Sequence, residues 1–320
     1  MRICVLGKRG SMIGWVDGAV AAWRKAGHDV LHAIFRDARL APKLEAALFS
    51  ETLGAPRARA IVRRVRAFAP ELMVAVDAFS TPLSLLARLA ATPGLPSLVG
   101  WVGDRFGDYA RDRAPFFAAI GYTDSGLVEL HTGMQLKSGA FYLPHAANAL
   151  LADASAPKPS RRSELVFVAA PTPQRVTALL ALQERVVLYG AGWHDFPGSQ
   201  HELHASRVPL EGLAPIYRGH LAVLNMRNET HVLAGLNQRN FDPFLCGAVV
   251  ATDRQPDLER CFTPCEEVLV WQAPADIDAL SARLRRDPAW ACRIAEAGRR
   301  RVLAEHTYGA RLKSFVRLSR

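Results

Sequence analysis

Residues 220–253 read HLAVLNMRNETHVLAGLNQRNFDPFLCGAVVATD. The apolar run His220–Asn225 predicts a buried strand, and a loop follows it. A helix is expected over about Asn237–Cys246, stopped by Gly247, before a second buried strand at Ala248–Ala251. Strand, helix and strand in this order make one unit of a parallel sheet covered by helices. The loop holds Arg227, Asn228, His231 and Gly235, and the helix opens with Asn237-Gln238-Arg239. A helix start preceded by a small residue and flanked by guanidinium groups attracts anions. Its free N–H groups point outward, the dipole favours negative charge, and arginine adds a fork of donors that fits phosphate. Asp242, one turn beyond Gln238, can face the same opening, where a carboxylate accepts hydrogen bonds from a ribose diol. The expectation is a pocket for a nucleotide diphosphate.

The same alternation runs outward from this unit in both directions. Arg2–Gly7 reads as a buried strand, followed by the turn GKRGSMIG and a helix from about Trp15 with Val16, Ala19, Val20 and Trp23 on one face. Val30–Phe35 is the next strand. Gly7, Gly10 and Gly14 do not make a dinucleotide fingerprint, because the spacing is wrong and no acidic residue ends the second strand. Helices at about Ala55–Phe68, Thr81–Ala91 and Ala114–Ile120 alternate with strands at Leu72–Val76, Ser97–Val102, Gly121–Thr123 and Ala140–Leu143. Asp77, Asp104 and Asp124 each fall where a strand ends, the edge at which open α/β sheets bind ligands; each also suits a turn or a helix cap. Residues 149–163, ALLADASAPKPSRRS, carry no periodicity and read as a linker. A second series then begins: strand Glu164–Ala169, helix Pro173–Glu184, strand Arg185–Gly190, helix Leu213–Arg218, and the unit quoted above. Helix Pro256–Cys261 and strand Glu267–Trp271 follow, and the chain ends in helices Ala275–Arg286 and Pro288–Glu305 and a last piece to Arg320. The expected layout is α/β, with two doubly wound Rossmann-like domains facing a cleft. Residues 1–150 are expected to form the first domain, 151–163 the linker and 164–305 the second domain, with a helical tail at 306–320 returning to the first.

The bulk composition sets limits. At 320 residues the chain exceeds one ordinary core, and half its residues are hydrophobic, so two packed domains are expected. The formal net charge of +10 suits an anionic partner or an arginine-rich surface. No basic run is interleaved with aromatics, and no zinc or helix-turn-helix pattern occurs, so nucleic acid is not expected. A basic face is compatible with peripheral contact at a membrane. The five cysteines match no zinc template and are expected to stay reduced, which fits a cytoplasmic protein. No window approaches the length of a membrane span, and the start of the chain does not read as a signal segment.

Within residues 225–308 the motifs become more specific. The run LNQRNFDPFLCGAVVATDRQPDLERCFTPCEEVLVW resembles the CgeB-like (spore-protein type) glycosyltransferases in its Asn-x-Arg-x-Phe-acid, Cys-Gly-Ala and Thr-Asp steps and in its Pro-Asp-Leu and Glu-Glu. RIAEAGRRRVLAEHTYGARL is similar to that family's closing helix, and Tyr189-Gly190-Ala191-Gly192-Trp193, Tyr217 with Leu224-Asn225, and Pro144 through Asn148 match more loosely. Two departures stand out. Asp242 replaces the family's glutamate, and Ala169-Ala170 stands where a glycine is expected. The resemblance implies the GT-B fold and transfer of a sugar from a nucleotide diphosphate donor to an acceptor that the residues do not name.

On that reading Arg239 and Arg227 neutralise the diphosphate and stabilise the charge that grows as the sugar leaves. Asn237 and the N–H groups after Gly235 complete the anion hole, Asp242 takes the ribose, and Asn225 ends the strand beneath them. Tyr189, Gly190 and Trp193 lie in a strand-to-loop turn that suits the base or the sugar. Arg239 also suits a structural ion pair with Asp242 or Asp253, and Trp193 also suits packing. An inverting transferase needs a base on the acceptor hydroxyl; Asp17, in the first turn after the Gly-rich loop, is the first candidate and Asp104 the second. No metal or other cofactor is required. Asp276-Ile277-Asp278 spells a manganese-type pair but sits at a helix start, where acidic residues are expected anyway. Two alternatives stay open: a non-catalytic sugar-nucleotide-binding module, and a sugar-nucleotide epimerase on the same fold. The base, sugar, acceptor, stereochemistry and oligomeric state are not encoded in any of these patterns.

Overall fold

The computed structural model describes residues 1–10, 14–37, 54–152 and 162–319, and the chain builds two six-stranded sheets, every pairing parallel. Part of the Gly-rich turn (11–13) and most of the expected linker (153–161) lie outside the described residues.

The first sheet contains β1 (Arg2–Arg9), β2 (Asp29–Asp37), β3 (Leu72–Val76), β4 (Leu98–Val102), β5 (Ala119–Tyr122) and β6 (Gly139–Tyr142), in the order β2-β1-β3-β4-β5-β6. Residues Ile3 to Leu6 are fully buried and β3 and β4 are buried at every position, which is why these stretches read as continuous apolar runs rather than alternating ones. The order reverses at β1, so the ligand edge of this sheet lies beyond the carboxyl ends of β1 and β3. The expected helix over Ala114–Ile120 is instead a 3-10 turn at Ala114–Phe116, and the strand begins earlier, at Ala119. Pro115 sits in the first turn of that element, where its missing N–H costs nothing.

The second sheet contains β7 (Leu165–Val168), β8 (Val186–Tyr189), β9 (Glu202–His204), β10 (Val223–Asn225), β11 (Val250–Asp253) and β12 (Leu269–Trp271), in the order β12-β11-β10-β7-β8-β9. Its switch point lies between β7 and β10. Side chains alternate between two cores: Phe167, Leu188 and Leu224 face one, with Trp193 and Trp290, while Val166, Val187 and Val223 face the other, with Leu213 and Tyr217. β9 escapes the sequence reading because it is a short edge strand with only Leu203 apolar, and Glu202 there binds Arg162 at 2.6 Å and Arg185 at 3.1 Å.

The chain divides into two compact units: Met1–His145 with Thr230–Gly235 and Tyr308–Arg320, and Ala146–Glu229 with Leu236–Thr307. The helix Tyr308–Leu318 is thus part of the first unit. Its Phe315 is fully buried against Trp23 and Trp101, with ring centroids 6.0 and 5.4 Å apart. Trp23 Nε1 donates to Tyr308 O at 2.8 Å, and Arg311 donates to the carbonyls of Pro144 (2.6 Å) and His145 (2.8 Å). Burying a phenylalanine contributes about 1.5–3 kcal/mol. No helix among the described residues is long and apolar enough to cross a membrane.

Candidate functional site

At the carboxyl edge of the second sheet, Asn225 ends β10 with no exposed surface. Its Nδ2 donates to Thr252 Oγ1 on β11 at 3.0 Å, and its Oδ1 accepts from Arg239 Nε at 3.0 Å. An amide pinned from one side has one orientation left, and that orientation fixes the guanidinium beside it. Arg239 keeps some accessible surface, yet burial of its charged end holds its pKa below the usual arginine range.

A second guanidinium lies across the switch point. Arg175, only 4 % exposed, donates to Ala170 O beyond β7 and to Met226 O beyond β10, each at 2.9 Å. It ties together the two strand ends between which the sheet order reverses. Burial first, and then repulsion from Arg239, bring its pKa down to about 9. Asp253 is the carboxylate that favours the charge on both, and burial holds its own pKa above the ordinary value. Two largely desolvated guanidinium groups, Arg175 and Arg239, thus share this site with two desolvated carboxylates, Asp253 and Asp242. Arg227 is half-buried, with Nε 3.7 Å from Asp253 and Nη2 3.4 Å from Glu229.

The segment that follows departs from its expected form. In place of one helix from Asn237 to Cys246 there is a 3-10 turn, Gln238–Asn240, and a single α-turn, Asp242–Leu245. Pro243 permits helix only from its own position onward, so the chain restarts there. A four-residue helix has little macrodipole, and the attraction for an anion rests on side chains instead. Asn237 caps the turn, its Oδ1 accepting from Arg239 N at 3.0 Å. Asp242 is 3 % exposed, and its Oδ1 accepts from Asn148 N at 2.7 Å and Gln238 Nε2 at 2.8 Å. Burial raises its pKa to about 7, and those hydrogen bonds only partly offset the effect. Several buried polar atoms here have no partner among the described residues: Arg175 Nε, Asn237 Nδ2, Gln238 Oε1, both amide atoms of Asn240, and Gln255 Oε1. Native interiors leave few such atoms without a partner.

Four expected residues are engaged in other ways. Trp193 is fully buried and donates from Nε1 to Ala169 O at 2.6 Å, so it packs the core and offers no face to a base. Gly190 has φ 144°, and a Cβ there would fall 2.3 Å from Ala169 O, so this glycine permits the β7 and β8 ends to approach. Tyr189 keeps partial exposure, but its ring stacks on His204 with centroids 4.3 Å apart. Gly235 belongs to the first unit, where a Cβ would lie 2.7 Å from Asp124 Cα. The preceding N–H groups, of Leu233 and Ala234, donate to the Asp124 carboxylate at 2.7 and 3.0 Å, so this stretch binds an internal anion.

In the first unit Asp17 accepts from Gly10 N at 2.9 Å and ties the turn after β1 to the following helix. Asp104 is exposed and lies 3.5 Å from His231 Nδ1. Asp77, beyond β3, holds a left-handed backbone (φ 54°, ψ 54°), and burial pushes its carboxyl above the usual range. Asp276 accepts from Gln272 N and Ala273 N, and Asp278 from Gln183 N and Glu184 N, so both carboxylates serve backbone amides. Among the described residues no group of three or more His, Cys, Asp or Glu is placed to hold a metal ion. Arg175 is the main residue the sequence reading misses. Its one signal is position: an arginine one turn before the core residue Leu179, on the apolar face of its helix.

Residues 169–317 match the sequence profile of the family described as glycosyl transferase-like. No curated protein matches the chain in sequence. In three dimensions it is similar to sucrose-phosphate synthase from Thermosynechococcus elongatus (14 % identity, 99 % of this chain and 98 % of that one, TM-score 0.65). It is similar also to Anabaena HepE in complex with UDP-glucose (12 %, 99 % and 98 %, 0.67) and to a glycosyltransferase from Rickettsia africae (10 %, 99 % and 98 %, 0.64). The two parallel Rossmann-like sheets with C-terminal helices are the GT-B fold. The fold is thus the one these glycosyltransferases share, and the family profile spans 149 of the 320 residues.

Proposed function

We propose that the chain transfers a sugar from a nucleotide diphosphate donor, that the second unit holds the donor, and that its own guanidinium groups meet the diphosphate charge. The observation that carries this is the pair Arg175 and Arg239. Both are desolvated at the switch point of the second sheet, and Arg175 Nε and Asn237 Nδ2 are buried donors without a partner among the described residues. Arg239 and Arg227 neutralise the diphosphate, Asn237 donates through Nδ2, and Arg175 holds the strand ends that shape the floor. As the sugar leaves, negative charge grows on the diphosphate, and donors already fixed in place stabilise it without reorganising. Asp242, engaged through Oδ1, has its second oxygen to offer a ribose hydroxyl. The Tyr189 side of the sheet is left for the base.

Because arginines meet the charge, this reading needs no metal ion, and a chelator should leave turnover unchanged. A donor such as the UDP-glucose bound by HepE fits this arrangement. The CgeB-like subfamily fits the Asn-x-Arg-x-Phe-acid run at Asn237–Asp242. On the acceptor side Asp17 is the first candidate for a base and Asp104 the second. The test is incubation with a panel of uridine, thymidine, guanosine and adenosine diphosphate sugars, scoring free nucleotide. Steady release, even by slow hydrolysis, supports transfer. Binding without turnover points to the non-catalytic module, and a new sugar isomer points to an epimerase.

A further inference from the structure

We propose that the outer face of the helix pair Gly54–Phe68 and Leu83–Ala90 docks on an anionic membrane, its arginines meeting acidic lipid headgroups. The inference stands apart from the nucleotide-sugar reading, because it concerns a face of the first unit that the reading does not use.

Both helices cover one face of the first sheet. Ala58, Ile61 and Val65 from one and Leu85, Leu86 and Leu89 from the other enter a single core with Cys4, Met73 and Leu98. The outward positions are left largely to arginine. The pair carries Arg57, Arg59, Arg63, Arg64, Arg66 and Arg88 and no Asp or Glu, so more than half of the formal net charge of +10 resides on it. Arg59, Arg63 and Arg66 are exposed and follow at spacings of four and three, which makes one row about 10 Å long. Arg64 and Arg88 are exposed as well.

Arginines elsewhere are matched. Arg162 lies 2.6 Å from Glu202, Arg254 2.7 Å from Glu259 and Arg301 3.0 Å from Glu267, while Arg285 binds Glu184. The guanidinium groups of Arg59, Arg63, Arg64, Arg66 and Arg88 make no hydrogen bond or ion pair with any described residue. Like charges four residues apart destabilise a helix, and an anionic surface facing the row reverses the sign of that effect.

The surrounding chemistry favours lipid over nucleic acid. Phe68, the one aromatic residue on the two helices, is half-buried, so no exposed ring is offered to a base. Leu86 and Leu89, on either side of Arg88 in the chain, line a pocket of about 340 Å³ with Leu95, Leu98, Phe116 and Phe117. An apolar recess in this layer accommodates acyl chains and gives nothing to a phosphate backbone.

The experiment is co-sedimentation of the full chain with vesicles of phosphatidylcholine alone and of a two-to-one mixture with phosphatidylglycerol, and titration of a short DNA duplex at the same salt. The wild type is expected to bind the mixed vesicles only. Arg59→Gln, Arg63→Gln and Arg66→Gln together should weaken that binding about a hundredfold, since each arginine near an acidic surface is worth about fivefold. Arg286→Gln, Arg293→Gln and Arg300→Gln remove the same charge from exposed positions of the second unit and should weaken it less than about threefold. All six side chains are exposed, so both variants should melt with the wild type. Binding to neither vesicle, equal binding to both, or equal loss in the two variants would overturn the proposal. A duplex held more tightly than the mixed vesicles, and released by the first three substitutions, would assign the face to nucleic acid and overturn it too.

Discussion

Replacing Asp242 by Asn should change how stability depends on pH. Burial lifts the Asp242 pKa from 3.8 to about 7, so the folded chain holds a proton that the unfolded chain has released from about pH 4 upward. The folded state binds more protons in that interval, so rising pH draws the equilibrium toward unfolding, and the loss levels off above pH 7. A tenfold change in a protonation equilibrium is worth about 1.4 kcal/mol, giving roughly 4 kcal/mol for the whole interval, of which roughly 2.5 kcal/mol falls between pH 5 and pH 8. Asparagine keeps an oxygen for Asn148 N and Gln238 Nε2 and has no proton to lose. Urea unfolding of both proteins at half-unit steps from pH 5 to pH 8 should show the wild type losing that much relative to Asp242→Asn. Curves that stay parallel across the range would refute the claim that burial governs this carboxyl group.

Other consequences are simpler to state. Arg239→Ala should weaken nucleotide diphosphate binding by about 1.5–3 kcal/mol, the range for a charge-assisted bond, as read by calorimetry; unchanged affinity would place the diphosphate elsewhere. Trp193→Ala should cost about 3–5 kcal/mol of stability, because a fully buried indole and its bond to Ala169 O are lost together. A melting temperature within a degree of wild type would show that the ring is not core. Asp17→Asn should leave donor binding intact and suppress transfer, and full activity would remove Asp17 from the mechanism.

Much of the architecture follows from local pattern. Buried parallel strands need continuous apolar runs, and the helices between them need one apolar face, so Ile3–Leu6, Leu72–Val76 and Val223–Asn225 announce themselves. Asn225 and Arg239 are legible too, since a polar residue ending an apolar run, with an arginine shortly beyond, leaves few geometries. What escapes depends on partners distant in sequence. Gly235 reads as part of an anion site because its neighbours' amides are free as far as the local chain shows, and only folding brings Asp124, more than a hundred residues earlier, against them. Arg175 escapes for the same reason: its two carbonyl partners meet only once β7 and β10 pair. The broken helix at Pro243 is local and readable, but the apolar spacing around it hides the break.

The central claim is that Arg239 and its surroundings grip a diphosphate at the β7–β10 switch point. A crystal structure of the chain with a bound nucleoside diphosphate tests it directly. The account predicts phosphate oxygens within about 3 Å of the Arg239 guanidinium and of Asn237 Nδ2. A diphosphate ordered against any other surface, with Arg239 still bonded to Asn225 and no phosphate beside it, would contradict it.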